Sequence, residues 1–258
     1  MKPYLPNIVG KTALLIFLCF TLVIPSYAQH LSFGKERVVV ECGLNFGPTF
    51  FLGDLGGHRG KGTHFVKDLN LPLTKLMKGA FIAVYPNDWL GIRVAGQYTY
   101  VEGRDNIIDT KGEDELWRKQ RNLDFKSNIW ELYTAFEVYP TMLLSKDEEY
   151  DPTIKPYGFI GVGMFHFDPK GSITDANGNQ KWYRLHPLKT EGQGFVVDRP
   201  DYKLKQLNFP LGLGIKYELS DIVNLRGEFV YRILQTDYLD DVSTTYFDPA
   251  LYTNSGLS

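Results

Sequence analysis

The chain has 258 residues, with 28 basic and 30 acidic side chains and a formal net charge of −2. That balance argues against nucleic acid, which calls for a basic patch. The two cysteines, Cys19 and Cys42, do not make a disulfide framework.

The first segment reads as a signal peptide. Lys2 and Lys11 precede an apolar run over 13–24, and Ser26 and Ala28 flank Tyr27 in the small-x-small pattern of a cleavage site. The run is shorter than the ~20 apolar residues that span a bilayer as a helix. Phe17 and Leu18 before Cys19 are not the small residues of a lipidation signal. Cleavage is therefore expected after Ala28, leaving Gln29 first. It removes two lysines and no acid, moving the net charge from −2 to −4, and it leaves Cys42 alone. Glycine, proline or charge interrupts every later apolar run, so a membrane, if one is met, is met by strands.

Residues 37–52 open the strand pattern. Val38, Val40, Cys42, Leu44, Phe46 and Phe50 alternate with Arg37, Glu41, Gly43, Asn45, Gly47 and Thr49, a period-two split. The long connection 53–78 follows. Its GDLGGHRGKG lacks the Ser or Thr that a phosphate loop places after Gly-Lys, and His58 and His64 within it have no metal-ligand spacing. Residues 65–78 fit a short amphipathic helix interrupted by Pro72.

A strand over 79–86 then turns tightly at Pro86-Asn87-Asp88 into 89–101, where Leu90, Ile92, Val94, Tyr98 and Tyr100 oppose Arg93, Ala95, Gln97 and Thr99. The charged connection 103–126 carries Trp117. In 127–139, Trp130, Leu132, Phe136 and Val138 oppose Glu131, Ala135 and Glu137. A medium link over 140–153 leads to a strand over 154–167 and a long connection over 168–205. In 207–219, seven apolar residues alternate with Asn208, Pro210, Gly212, Gly214, Lys216 and Glu218. After the turn at 220–222, strand 223–233 sets Val223, Leu225, Phe229, Tyr231 and Ile233 against Asn224, Arg226, Glu228 and Arg232.

Seven strands are readable, most longer than the five or six residues usual in soluble sheets. Alternation does not say which face is inside. Three features turn the apolar face outward, as in a membrane barrel. The polar face is rich in glycine and alanine, which suits a narrow interior. Its charges balance: Arg37, Arg93, Lys216, Arg226 and Arg232 against Glu41, Glu131, Glu137, Glu218 and Glu228. The connections alternate long and short, as extracellular loops alternate with periplasmic turns. Two aromatic girdles then follow: Phe50, Tyr98, Tyr100, Trp130 and Phe167 at the outer end, and Tyr85, Trp89, Tyr139, Tyr157 and Tyr217 at the inner end.

The expected fold is all-β: a small up-and-down antiparallel transmembrane barrel over 29–258, with outer loops at 53–78, 103–126, 168–205 and 235–258. Eight strands are expected because single-chain bacterial barrels are even-numbered. The unread strand either hides in a loop or, as favoured here, lies beyond Ser258. The Gly161/Gly163 and Gly212/Gly214 pairs read as relief for close packing in a narrow barrel.

Little in the chain points to catalysis. His166, Asp168 and Ser172 could form a nucleophilic set, but Phe165, Phe167 and Pro169 around them suggest an interfacial corner. Asp237, Asp240 and Asp241 in TDYLDDVSTTY lack the glycine and alternating ligands of a calcium loop. They read as a loop-shaping acidic turn with Ser243 and Thr244, facing the exterior, with calcium bridging the lesser alternative.

The stretches GLNFGPTFFLGDLGG (43–57), SNIWELYTAFEVY (127–139), PYGFIGVGMFHFDPKG (156–171), TEGQG (190–194) and TDYLDDVSTTY (236–246) resemble a family of outer-membrane barrels of Bacteroidota. That family is similar to PorG of the type IX secretion and gliding machinery. The resemblance implies an eight-stranded, non-enzymatic barrel without cofactors, associated with the periplasmic ring of a secretion apparatus. Partners would be outer-membrane lipids and periplasmic or outer-membrane secretion proteins, not nucleic acid. A small passive outer-membrane pore or surface-binding barrel and, less favoured, a lipid-modifying outer-membrane enzyme are the alternatives.

Overall fold

The computed structural model describes residues 14–20, 27–33, 36–52, 73–105, 122–145, 151–196 and 199–243. The glycine-rich stretch 53–62 with His58, as well as His64, Trp117 and residues 244–258, lie outside the described residues.

Ten strands follow in chain order: β1 (Leu14–Phe20), β2 (Tyr27–Phe33), β3 (Glu36–Leu52), β4 (Lys75–Asn87), β5 (Leu90–Arg104), β6 (Asp124–Val138), β7 (Ile154–Thr174), β8 (Gln180–Arg184), β9 (Lys205–Ser220) and β10 (Val223–Leu234). Among the described residues, one short α-helix, α1 (Pro140–Leu144), starts on its proline after β6. The fold is all-β and antiparallel throughout.

β3, β4, β5, β6, β7, β9 and β10 pair in that order, each with its sequence neighbour apart from the excursion through β8. This is the up-and-down barrel read from the seven alternating segments. β1 occupies the eighth place. Leu14 stands opposite Ile233 on one side and Leu52 on the other, and Phe17 opposite both Val230 and Thr49. β2 runs along the rest of the β3 edge, from Tyr27 against Cys42 to Phe33 against Glu36. An unpaired edge between β3 and β10 would leave backbone groups without partners. Residues 14–20 supply them in the uncleaved chain; the cleavage after Ala28 expected from the sequence would remove this strand and leave the edge open.

Two further differences concern the long connections. Of the segment 65–78 fitted as a helix, residues 75–78 belong to β4, and 65–72 lie outside the described residues. The connection 168–205 is partly strand, because β7 continues to Thr174 and β8 folds back on it, Lys170 facing Arg184 and Thr174 facing Gln180. Asp175 sets that turn by accepting from the backbone of Asn177 (2.9 Å) and Asn179 (2.8 Å), and Gly178 supplies the left-handed residue at φ 84°.

The sheet is inside out by the standards of a water-soluble protein. In β6, Phe125, Ser127, Ile129, Glu131, Tyr133, Ala135 and Glu137 are buried, while Trp130, Leu132 and Phe136 are more than half exposed. Ile82, Ile160, Leu213 and Ile215 repeat the outward apolar pattern around the sheet, and Arg93 and Arg232 lie fully buried within it. Trp130, Tyr100 and Tyr217 face outward, as girdle residues should.

Five of the expected girdle residues do not. Tyr85, Tyr139, Tyr157, Phe50 and Phe167 point inward and are buried. Tyr85, Tyr139 and Tyr157 reach carboxylates of the interior, whereas Phe167 stacks on Phe165. Tyr85, Tyr139, Tyr157 and Phe50 do lie near strand ends, but Phe167 does not, because β7 continues to Thr174; strand parity decides the face.

Glycines opposite the inward rings make room for them. A Cβ on Gly212 would lie 2.6 Å from the Phe159 ring, and one on Gly214 would lie 2.5 Å from Tyr157. In this narrow interior a ring on one strand occupies the space of the missing side chain on the next.

Candidate functional site: a filled interior under an outer cap

The interior charges sit on residues of one parity, so that β3, β5, β6, β9 and β10 all aim them at the same axis. Glu137 on β6 is the hub of the inner half. It accepts from Arg226 of β10 at 3.1 and 3.2 Å, from Tyr85 at 2.8 Å and from Tyr139 at 3.0 Å, and Arg93 Nε lies 3.0 Å from it. Arg226 also pairs with Glu41 and donates to the Tyr85 oxygen. Glu41 in turn holds Lys216 and accepts from Asn224 at 2.8 Å. Arg93 extends the network to Glu228, which accepts from Tyr157 as well.

A second layer lies toward the outer end. Glu131 receives Arg232 Nε at 2.9 and 2.8 Å and accepts from Gln97 and Asn208. Aromatic faces complete the packing: the Arg93 guanidinium lies 4.6 Å from the Phe159 ring centre and that of Arg226 5.0 Å from Phe81. Each buried charge is paired, which offsets much of the cost of burying it, although Arg93 Nη2 and Arg226 Nε find no hydrogen-bond partner among the described residues.

Of the residues read as an interior charge network, Arg93, Glu131, Glu137, Lys216, Arg226, Glu228 and Arg232 meet in these two layers. Glu218 stands only at their edge. It is half-buried, 2.7 Å from Lys155 and 3.9 Å from Lys216, because only two residues of β9 follow it. The side chain of Arg37 lies outside the described residues. Glu41, counted in the charge balance, proves central. Gln97, Asn208 and Asn224 read as part of the polar face but not as members of the network, and the inward tyrosines Tyr85, Tyr139 and Tyr157 read as girdle residues.

Above the charged layers the interior turns apolar. Val101, Phe125, Ile129, Phe167, Leu234 and Leu239 are buried there. Leu239 belongs to the acidic turn, which folds into the barrel mouth instead of standing in solvent. The turn is a 3₁₀ segment, Tyr238–Asp240, closed by Asp241 at φ 64°. Tyr238 N donates to Thr236 Oγ1 at 3.2 Å, and Val242 N to Asp240 Oδ1 at 3.3 Å.

The three aspartates do not converge on one point. Asp237 accepts from Ser243 Oγ at 3.1 Å, Asp240 accepts locally, and Asp241 accepts from Thr190 Oγ1 at 2.6 Å and from the Tyr202 hydroxyl. The turn-shaping role therefore falls to Asp237 and Asp240, while Asp241 serves a contact between loops. The TEGQG stretch is its partner: Glu191 Oε1 accepts from Ser243 N at 3.1 Å, and Gly192 and Gly194 adopt φ 77° and 81°, conformations that glycine alone adopts without strain. Phe167, Tyr202 and Tyr238 stack in sequence, with centroid separations of 5.9 and 4.6 Å. Burial raises the Asp241 carboxyl above its usual value, an effect opposed by the Thr190 and Tyr202 hydroxyls.

His166, Asp168 and Ser172 are not drawn together as a catalytic set. Asp168 lies 3.3 Å from Arg184 and 3.6 Å from Lys170, and the Ser172 hydroxyl donates to Asp124 at 2.6 Å.

Compared with known proteins, the chain matches no family, no curated protein and no solved structure.

Proposed function

We propose that the chain is a non-enzymatic outer-membrane barrel that serves as a structural or assembly component and docks periplasmic or surface partners. Within this reading the apparatus is a type IX protein secretion machinery, a step supported by the five stretches that resemble that barrel family. The observation that carries the membrane reading is the inverted sidedness of the sheet. Arg93, Glu137 and Arg232 are sealed inside, and Trp130, Leu132 and Leu213 are more than half exposed outside. A charge turned to lipid at mid-depth costs ~2–4 kcal/mol, whereas apolar side chains are at home there.

The filled interior favours docking over solute passage. Two hydrogen-bonded charge layers and an apolar cap lie across the axis, and a barrel of about eight strands encloses only enough space for its side chains. Crosslinking in native envelopes tests the reading. Recovery of the chain in the outer-membrane fraction, attached to periplasmic ring proteins, is the expected result. Purification without partners, with secretion intact after deletion, would overturn the assembly role. Recovery in the soluble fraction would overturn the membrane reading.

A further inference from the structure

Three exposed apolar side chains outside the barrel wall lie close together. Ile173, Tyr183 and Leu188 are 65%, 37% and 51% exposed. Ile173 lies seven residues along β7 beyond His166, the partner of outward-facing Trp130, roughly 23 Å at strand rise. The lipid belt does not account for them. With Leu123, Leu185 and Val242 they line a cavity of about 220 Å³ beside the acidic turn, with Asp240 and Asp241 at its edge.

A second cavity, of about 270 Å³, adjoins it and has the opposite character. Arg104, Asn122, Asp124, Ser172, Thr174 and Gln180 line it. The two share Asn122, Leu123, Asp124 and Ser172 as a common wall. The polar frame is preorganised. Asp124 accepts from Ser172 N at 2.9 Å, from Ser172 Oγ at 2.6 Å and from Gln180 Nε2 at 2.9 Å, and Gln180 also reaches Ser172 Oγ at 2.7 Å. These residues lie on paired strands: Arg104 faces Asp124 across β5 and β6, and Thr174 faces Gln180 across β7 and β8. The charge of Arg104 is met by Glu102 on its own strand.

A ligand filling both compartments must be dense in hydroxyls at one end and apolar at the other. Carboxylate, amide, guanidinium and hydroxyl groups close together suit vicinal hydroxyls, each of which both donates and accepts. An apolar chamber of the adjoining size holds a ring or a short chain. We propose that the paired cavities form a binding site for a glycoside: the sugar beside Asp124, Ser172 and Gln180, and an apolar aglycone among Ile173, Tyr183, Leu188 and Val242. No step of the assembly role depends on this site, so the two stand or fall separately.

Titration of the full chain in nanodiscs tests it, using a panel of phenyl β-D-hexosides, the matching methyl β-D-hexosides, and 2-phenoxyethanol. At least one phenyl hexoside is expected to bind at least about tenfold more tightly than its methyl counterpart, the margin of burying one ring. Leu188→Ser, on an exposed side chain outside the barrel wall, should erase that margin. Gln180→Ala, equally exposed, should weaken phenyl and methyl hexosides alike. Competition by a glycolipid placed in the nanodisc would identify a membrane source for the sugar; lack of competition beside retained phenyl hexoside binding would identify a soluble one. Equal binding of phenyl and methyl hexosides, phenoxyethanol binding as tightly as any hexoside, or no saturable binding overturns the proposal.

Discussion

Thr190 donates its hydroxyl to the Asp241 carboxylate at 2.6 Å across 51 positions of sequence. With the bond from Ser243 N to Glu191, it fastens the TEGQG loop to the acidic turn over the barrel mouth. The acidic turn is held buried by this partner loop.

The fastening is expected to depend on pH. Burial holds the Asp241 carboxyl above its ordinary value of 3.8, so the folded cap binds the proton more tightly than the open one. A raised acid contributes stability that is fully present below 3.8 and is lost as pH rises through the folded value. Hydrogen-exchange protection of residues 238–243, corrected for intrinsic rates, should therefore decline as pH rises through that window. Asp241→Asn keeps an acceptor and tolerates the left-handed backbone, and it should flatten the dependence. Asp241→Ala leaves two hydroxyls without their acceptor and should loosen the cap by about 2 kcal/mol.

Glu137 and Glu218 provide a matched contrast. Glu137→Ala strips the shared acceptor from Arg93, Arg226, Tyr85 and Tyr139. Breaking a buried pair in this way costs about 3–5 kcal/mol. Glu218→Ala removes a half-exposed partner of Lys155, and a surface pair contributes about 1 kcal/mol or less. Thermal unfolding of the two variants in the same detergent should separate them clearly.

Glycine substitutions test the packing of rings over glycines. Gly212→Ala would force a methyl group against the Phe159 ring and the Phe229 carbonyl, an overpacking cost of about 1–3 kcal/mol. Gly227→Ala meets nothing within 4 Å and should be close to neutral. Equal destabilisation by the two would refute the account.

The seam between β3 and β10 makes a fourth prediction. A chain beginning at Gln29 lacks β1 and so leaves residues 227–233 of β10 and 49–52 of β3 without the partners they have here. Compared with the full chain, it should melt roughly 10 °C lower, the equivalent of a few backbone hydrogen bonds. It should also self-associate through the exposed edges, measurable by light scattering.

The class of fold was legible because strand parity is a strong code. Arg93 alternating with Ile92 and Val94, or Lys216 with Ile215 and Tyr217, separates the faces residue by residue. Tyrosine defeated that reading. Its ring suits an interface and its hydroxyl suits a buried carboxylate, so Tyr217 and Tyr157 are alike in composition and opposite in placement. The cap was illegible for another reason. Contact between Thr190 and Asp241 depends on the paths of two loops, which no local period records. The hairpin β7–β8 was missed because Asp175 and Gly178 signal a turn without signalling that β7 continues beyond the barrel wall.

The two charged layers also bear on how the molecule assembles. Glu41 on β3 and Glu137 on β6 meet Lys216 and Arg226 on the paired strands β9 and β10, so each ion pair joins strands far apart along the chain. None of these groups reaches its counter-charge until the sheet has curled far enough to bring the sides together. A half-inserted sheet would offer bare arginine and glutamate to hydrocarbon, so strands entering one by one would climb an electrostatic hill that vanishes only at closure. Under the proposed membrane reading, these cross-struts would oblige the wall to curl before it enters the bilayer.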